Sequence, residues 1–392
     1  MQEKNELSFP NVDFLSKSLS NFKDIMFFKF FKHIRIYILF FLSNCLQVFS
    51  QEERPITTAF PFLLISPDAI ASGRGDIGGA SSPDVFSQYW NSSKYVFSLQ
   101  KSGIGMSYTP YLNKLSRDIF LANLSYYRKG IRSAWGSSLR YFSIGEIQQT
   151  QLFGSDIYRL GSFLPSEWSL DLSYNLKLTE HYSMGVTARY LHSDLHFPTE
   201  GKSIAQGVAF DISGYYTSEK HLIGNYLGNY LFGFQISNIG SKIKYDDLGQ
   251  TFFLPTNLKL SGSYTLSVDS ENDVSLLVEL NKLLVSSDTQ KHKKTDFLEG
   301  IFTSFTDAPN GFSEEMREIS WALGFEYSYL QHWCLRTGYF YQHKNKGDRK
   351  YLTIGTGFNI SHWQFDFSYL FSTAQTVNPL SNSLRISLQY TF

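Results

Sequence analysis

Leu384-Arg385-Ile386-Ser387-Leu388-Gln389-Tyr390-Thr391-Phe392 alternates apolar and polar side chains up to its final residue. Successive side chains of an extended strand point to opposite faces, so this segment has one apolar and one polar surface. That is the dyad pattern of a transmembrane barrel strand, with hydrocarbon on one side and a watery lumen on the other. An amphipathic strand of a soluble sandwich would alternate too, but would give no reason for an aromatic at the end of the chain. The segment therefore reads as a barrel's closing strand, with Tyr390 and Phe392 as the signal taken by barrel-assembly machinery.

The same alternation recurs upstream. Trp168, Leu170, Leu172, Tyr174 and Leu176 oppose Ser169, Asp171, Ser173, Asn175 and Lys177. Similar rows are Tyr182 to Tyr190, Val208 to Tyr216, and Trp363 to Phe371. The pattern predicts strands near residues 95–109, 117–128, 132–146, 166–178, 181–194, 206–218, 229–240, 257–268, 273–286, 315–330, 332–344, 350–360, 362–373 and 383–392. That is an even number, and aromatics often end the runs as membrane-interface girdles do. Tight connections alternate with long ones at 147–165, 195–205, 241–256, 287–314 and 374–382; only 219–228 is longer than its place requires. The expected fold is all-β: a fourteen-stranded antiparallel transmembrane barrel in a Gram-negative outer membrane, with both termini periplasmic and the long loops extracellular.

Composition agrees. The 392 residues carry 35 basic and 35 acidic side chains, which argues against a nucleic-acid partner. Charged residues make up 18% and aromatics 17%, with 35 Phe and 25 Tyr, and no apolar run reaches the length of a membrane helix. Lys29, Lys32, His33 and Arg35 precede the apolar run Ile36 to Leu42, and Val48-Phe49-Ser50 then Gln51 suits signal-peptidase cleavage. Residues 1–50 are expected to be a signal peptide whose true start is Met26. Cys45 follows Leu42-Ser43-Asn44, where the bulky Asn44 disfavours lipidation. After cleavage only Cys334 remains, so strand pairing rather than a disulfide must hold the fold. Residues 51–94 do not alternate and contain Pro55, Pro61, Pro67, Pro83, Gly73, Gly75, Gly78 and Gly79; they are expected to be a hatch within a barrel of residues 95–392.

Gly73-Arg74-Gly75-Asp76-Ile77-Gly78 matches the dinucleotide-binding fingerprint by letter, but no βαβ unit surrounds it, and its glycines better suit tight turning in a crowded lumen. His192, Asp194 and His196 share one strand parity and could approach a metal; they equally continue the outward row of Ala188 and Tyr190 past the bilayer edge, and no metal site is assigned. Lys291-His292-Lys293-Lys294 could attract lipopolysaccharide phosphates or simply be solvated. No Gly-x-Ser-x-Gly elbow or zinc-protease motif appears, so no catalytic residues or cofactor are assigned. Arg140, Asp171, Asp211 and Asp366 fall at inward positions, as lumen groups facing water or one another. Phe153, Tyr158, Phe163, Phe302, Phe305 and Phe312 in the long loops are candidate cargo contacts; they could instead pack on each other.

Pro61-Phe62-Leu63-Leu64-Ile65-Ser66-Pro67-Asp68-Ala69, the glycines through Gly79-Ala80, and Ser82-Pro83-Asp84 resemble the N-terminal region of the PorV family of type IX secretion system outer-membrane proteins. So do Leu139 to Glu146 and Ala188 to Leu195. Ile70, Ser72 and Arg74 depart from the pattern where Arg, Gly and Met are usual, as does Asn91-Ser92-Ser93-Lys94 where Asn-Pro-Ala-Lys is usual. The chain is more distantly similar to FadL-type fatty-acid transporters, fourteen-stranded barrels with an N-terminal hatch. The resemblance implies a bacterium of the Bacteroidota type and a non-enzymatic role. It implies that the protein binds the C-terminal signal domain of cargo leaving the translocon barrel and presents it to a PorU-like surface sortase and attachment complex. Outer-membrane lipid and the barrel-assembly machinery would be its other partners, and Pro67, Asp68, Gly73, Gly75 and Gly78 its hatch motif. The alternative is a FadL-like transporter of hydrophobic small molecules. N-terminal sequencing of the mature protein is expected to begin near Gln51; a start within residues 1–25 would contradict the export reading.

Overall fold

Apolar side chains at every second position need lipid or a core along one face. In the computed structural model, which describes residues 55–112, 116–153, 156–195, 204–245, 251–286, 296–374 and 379–392, fourteen strands meet that need by closing into one antiparallel ring. They are β1 (Ser102–Pro110), β2 (Ile119–Lys129), β3 (Ser133–Ile144), β4 (Ser166–Lys177), β5 (Tyr182–Asp194), β6 (Ile204–Thr217), β7 (Tyr226–Gly240), β8 (Asn257–Ser267), β9 (Asn272–Leu283), β10 (Ser320–Tyr329), β11 (Trp333–Tyr341), β12 (Lys350–Ile360), β13 (Trp363–Ser372) and β14 (Leu384–Thr391). Each pairs with its sequence neighbours. The ring closes where β14 meets β1, from Gly103 opposite Thr391 to Tyr108 opposite Ile386, and Ser102 and Phe392 exchange two backbone hydrogen bonds of 2.9 Å. Closure leaves no unpaired edge in the wall, which a spanning sheet requires.

The rows read from sequence have the expected faces. Leu170, Leu172, Val186, Val208, Phe210 and Phe371 are exposed on the outside, whereas Asp171, Ser173, Thr187, Asp211 and Asp366 are buried inside. Aromatic pairs ring the exterior near the strand ends: Trp135 with Tyr174 at 4.7 Å, Trp321 with Tyr341 at 5.2 Å and Trp363 with Tyr390 at 4.7 Å between centroids. Among the described residues no helix is long and apolar enough to cross a membrane; the strands cross instead.

Three local expectations change. β1 begins at Ser102 rather than at Tyr95, because Ser92–Phe97 forms a 3-10 helix whose first turn is capped by Asn91, the side chain accepting from Ser93 N at 3.2 Å. β10 begins at Ser320 rather than near 315, because Phe312–Glu318 is a helix. The connection at 147–165 is not irregular: Ile147–Phe153 and Asp156–Phe163 pair as a separate two-stranded ribbon. The longer connection at 219–228 is a small extension in which His221–Ile223 pairs with the start of β7.

Residues 55–98 fill the interior. Pro61–Leu64 forms a 3-10 turn, followed by helices α1 (Ala69–Gly73) and α2 (Ser87–Trp90). The chain meets the wall glycine to glycine. A Cβ on Gly338 would overlap the Arg74–Gly75 peptide, and one on Gly233 would overlap the Gly79 carbonyl. A Cβ on Gly355 would come within 2.8 Å of Gly73 Cα, and one on Gly324 within 2.7 Å of Arg74 O. At these distances backbone lies on backbone, and wall side chains bond the plug's peptide groups directly. Ser387 Oγ accepts from Ala69 N at 2.8 Å, Thr353 Oγ1 from Gly75 N at 2.9 Å and Gln389 Oε1 from Val85 N at 3.1 Å. Ser263 Oγ donates to Ala80 O at 2.6 Å and Ser183 Oγ to Ser93 O at 2.8 Å. Irregular backbone at membrane depth survives only when its polar groups are met in this way.

Substituting Gly338 by Val is expected to destabilise the folded protein by about 1–3 kcal/mol or more through overpacking, read as a lower denaturation midpoint of the heat-modifiable form in detergent. Ile354→Val on the lipid face is expected to leave that midpoint within error, and equal shifts for the two variants would contradict the close contact.

Candidate functional site

The inward charged side chains pair between nearby strands along the inner wall. Arg189 bridges Asp171 at 2.8 Å and Asp211 at 2.9 Å, while Arg140 reaches Asp171 at 3.4 Å and stacks over Tyr89 at 5.0 Å. A bulge in β7 at Ile236–Ile239 turns Asn238, at φ 61°, so that its amide donates to Asp211 Oδ1 at 2.8 Å. Opposite, Arg336 bridges Glu326 at 2.5 Å and Asp366 at 2.6 Å, and Arg74 of the plug joins Glu326 at 3.2 Å. Two further groups tie the plug down by charge. Arg385 meets Asp76 at 2.8 Å, with Tyr351 OH on the other Asp76 oxygen at 2.5 Å. Glu279 Oε2 accepts from Gly79 N at 3.0 Å and Ser261 Oγ at 2.8 Å. Buried ions require such pairing, and removing one member of a pair strands the other.

Above the plug, at the long-loop end, lies a cavity of about 380 Å³. Its floor is Ser66, Asp76, Tyr89 and Trp90, and its sides include Lys259, Glu279, Asn281, Phe340 and Arg349. Lys259 Nζ lies 4.2 Å from the centroid of the Trp90 ring and 3.6 Å from Glu279 Oε1. The sequence reading missed this cavity, although Lys259, Glu279 and Asn281 of its sides share inward parity near the long-loop ends of β8 and β9 and could have been placed there. Part of the rim is a helical loop, α3 (Phe297–Thr303) and α4 (Phe312–Glu318). Lys282 continues the outward row of Leu276, Val278 and Leu280 beyond the apolar belt. There it is neutralised by Glu315 and Glu318 of α4, each at 2.8 Å. Glu318 also meets Lys346 of the β11–β12 loop at 3.1 Å, and Glu314 binds the same ammonium.

The predicted site residues fall into separate places. Asp68 caps α1, accepting from Ala71 N at 2.9 Å and from Trp90 Nε1 at 2.6 Å, and Pro67 O accepts from Ser107 Oγ at 2.6 Å. Gly73 lies on Gly355. Gly75, at φ 80°, turns against Tyr339, and Gly78 leaves no room for a Cβ beside the Trp90 ring. Phe153 and Tyr158 meet edge to face at 6.0 Å on the ribbon, yet both remain more than half exposed, and Phe163 is half-buried. Phe302, Phe305 and Phe312 belong to the helical loop, where Phe302 and Phe312 are exposed and Phe305 faces Lys282 at 5.9 Å. Tyr390 packs on Phe392 at 5.8 Å beside the closing seam. His192 stacks on Trp168 at 5.2 Å; His196 and Lys291 to Lys294 lie outside the described residues.

The α4 clamp is a salt-bridge network at the rim. Burial alone would raise the Glu314 carboxyl, but the Lys346 ammonium and the Asn310 amide hold it below its ordinary value of 4.5. Burial would lower Lys346, and the Glu314 and Glu318 carboxylates hold it above 10.5. Glu314 therefore contributes stability that is complete above 4.5 and is lost as pH falls through its lower folded value. Lys346 contributes stability that is complete below 10.5 and is lost as pH rises through its higher folded value. Hydrogen exchange of residues 312–318, taken relative to the intrinsic rate at each pH, is expected to be flat between those limits and to accelerate outside them. Glu318→Ala is expected to accelerate it at neutral pH, and an unchanged rate would contradict the clamp.

A family model described as type IX secretion system protein PorV matches residues 48–290. No curated protein sequence matches the chain. Among solved structures, the Pseudomonas putida toluene transporter TodX is similar at 11% identity with a TM-score of 0.51, covering 83% of this chain and 98% of TodX. The Ralstonia pickettii toluene transporter TbuX matches at 12% identity and a TM-score of 0.48, covering 84% of this chain and 100% of TbuX. A Pseudomonas aeruginosa FadL homologue matches at 10% and 0.42, covering 84% and 99%. At 11% identity the likeness to TodX speaks to the barrel fold alone.

Proposed function

The chain belongs to the PorV family of type IX secretion system proteins and is an outer-membrane β-barrel component of that system; from that premise we propose that it binds the C-terminal signal domain of exported cargo and carries it from the translocon barrel to the surface sortase and attachment complex. The reading places both termini in the periplasm, so that the tight turns are periplasmic and the long loops, the ribbon and the cavity face outward. Residues 1–50 act as a cleaved signal peptide, and Tyr390 with Phe392 as the assembly signal. The protein contributes binding and not bond chemistry.

The observation that carries this reading is the contrast between the two halves of the lumen. Below, the plug is pinned through backbone contacts with the wall and through Arg74, Asp76 and Glu279, which suits a stopper better than a gate. Above, a cavity lies at the long-loop end, and Phe153, Tyr158, Phe302 and Phe312 of the long loops are exposed and offer aromatic area to a macromolecule. The runner-up, a conduit for hydrophobic small molecules, would be better served by an uncharged pocket under a movable hatch. Here Asp76, Lys259, Glu279, Glu318, Lys346 and Arg349 line the cavity.

Affinity purification of the tagged protein from outer membranes in mild detergent is expected to recover a large translocon barrel, a sortase-like protease or proteins with C-terminal signal domains. Deletion of the gene is expected to mislocalise many surface proteins at once. A solitary barrel carrying bound lipid, together with the loss of uptake of a single compound on deletion, would overturn the proposal in favour of transport.

A further inference from the structure

The ribbon of Ile147–Phe153 and Asp156–Phe163 leaves the wall between β3 and β4 and pairs with no other described strand. Both of its faces are exposed, with Leu152 at 69% on one and Phe153 at 63% on the other. A two-stranded ribbon on its own is marginal in water and gains from a third strand.

Its two edges differ. Asp156–Phe163 is blunted by Arg159, by a bulge in which Leu160 has no opposite residue, and by Gly161 at φ 150°. Ile147-Gln148-Gln149-Thr150-Gln151-Leu152-Phe153 carries no charge, no Pro, no Gly and no bulged residue of its own. Exposed edges ordinarily carry one of those devices because unpaired N–H and C=O groups in a flat apolar strand recruit other strands.

We propose that the free edge of Ile147–Phe153 accepts an extended strand from a partner polypeptide, extending the ribbon to three strands by main-chain pairing. The partner strand is uncharged and carries amides or hydroxyls between apolar residues, because the edge presents Gln149 and Gln151 between Ile147 and Phe153 on one face and no charge to pair with. Affinity then comes from backbone hydrogen bonds that any extended sequence supplies, and selectivity from the exclusion of charge. This edge would let one receptor take many cargoes of differing sequence. The inference rests on the secretion reading for the owner of the strand, an exported protein.

The test is photo-cross-linking in intact cells with benzoylphenylalanine placed singly at Ile147, Gln149, Gln151 and Phe153 of the full chain, with adducts mapped by mass spectrometry. The expected result is a ladder: the four positions capture residues two apart, in order, along one extended segment of an exported protein. Replacing residues 147–163 by Gly-Ser-Gly is expected to lower cargo recovered with the barrel about tenfold or more. Ile144 N and Pro165 O are already bonded at 3.1 Å, so the shortened connection closes without disturbing β3 or β4. A ladder to a second copy of this chain, adducts with lipid, adducts scattered over a partner's surface, or no adducts would each overturn it. If the shortened variant still delivers cargo while gene deletion abolishes delivery, this edge is refuted and the secretion role stands. If gene deletion leaves delivery intact, the role itself falls.

Discussion

Contact between the glycines of residues 73–79 and those of the wall sets the distance on which the rest of the interior depends. With Gly233, Gly324, Gly338 and Gly355 facing it, the plug's backbone comes close enough for wall hydroxyls, amides and carboxylates to bond its peptide groups. One methyl group at Gly338 would push the Arg74–Gly75 peptide off β11 and with it the hydrogen bond from Gly75 N to Thr353. The same approach brings Arg74 to Glu326 and Asp76 to Arg385, so the charges of plug and wall neutralise each other. Packing, backbone satisfaction and charge pairing are thus one constraint expressed three ways.

What the constraint leaves free lies at the long-loop end. Above the plug are a cavity where Lys259 stands over Trp90, a helical loop clamped by Lys282 and Lys346, and a ribbon that pairs with no other described strand. Rigid scaffold below and adaptable loops above is the usual division of labour in a receptor, because binding residues can vary without disturbing the fold. On the proposed function the barrel is a platform in the membrane, and its loops do the recognition.

Much of the fold was legible because the dyad repeat reports facing directly. The segments Trp168 to Leu176 and Trp363 to Phe371 have the predicted faces, and Arg140, Asp171, Asp211 and Asp366 are inward; Arg140 meets Asp171, whereas Asp211 and Asp366 pair with Arg189 and Arg336. Long-range events were not legible. Tyr95, Val96 and Phe97 have strand-forming side chains, but they are held in a capped 3-10 turn inside the barrel. Residues 315–318 read as the start of a strand, but Glu314, Glu315 and Glu318 are helical because their lysine partners sit on β9 and a distant loop. The hatch glycines were visible as turn formers; that four wall glycines oppose them is a fact of register, which no local pattern encodes. Of the loop aromatics, Phe153, Tyr158, Phe302, Phe305 and Phe312 are exposed and Phe163 is half-buried, and they divide between a ribbon and a helical loop, a division their spacing did not show.

The most direct test of a pinned stopper beneath an external binding surface is a disulfide tether between plug and wall. Ala69→Cys with Ser387→Cys uses a pair already joined by a 2.8 Å hydrogen bond. With the tether oxidised, the account predicts that exported proteins reach the cell surface as they do in the parent strain. Delivery that stops on oxidation and returns on reduction would mean that the plug must move, and would contradict it.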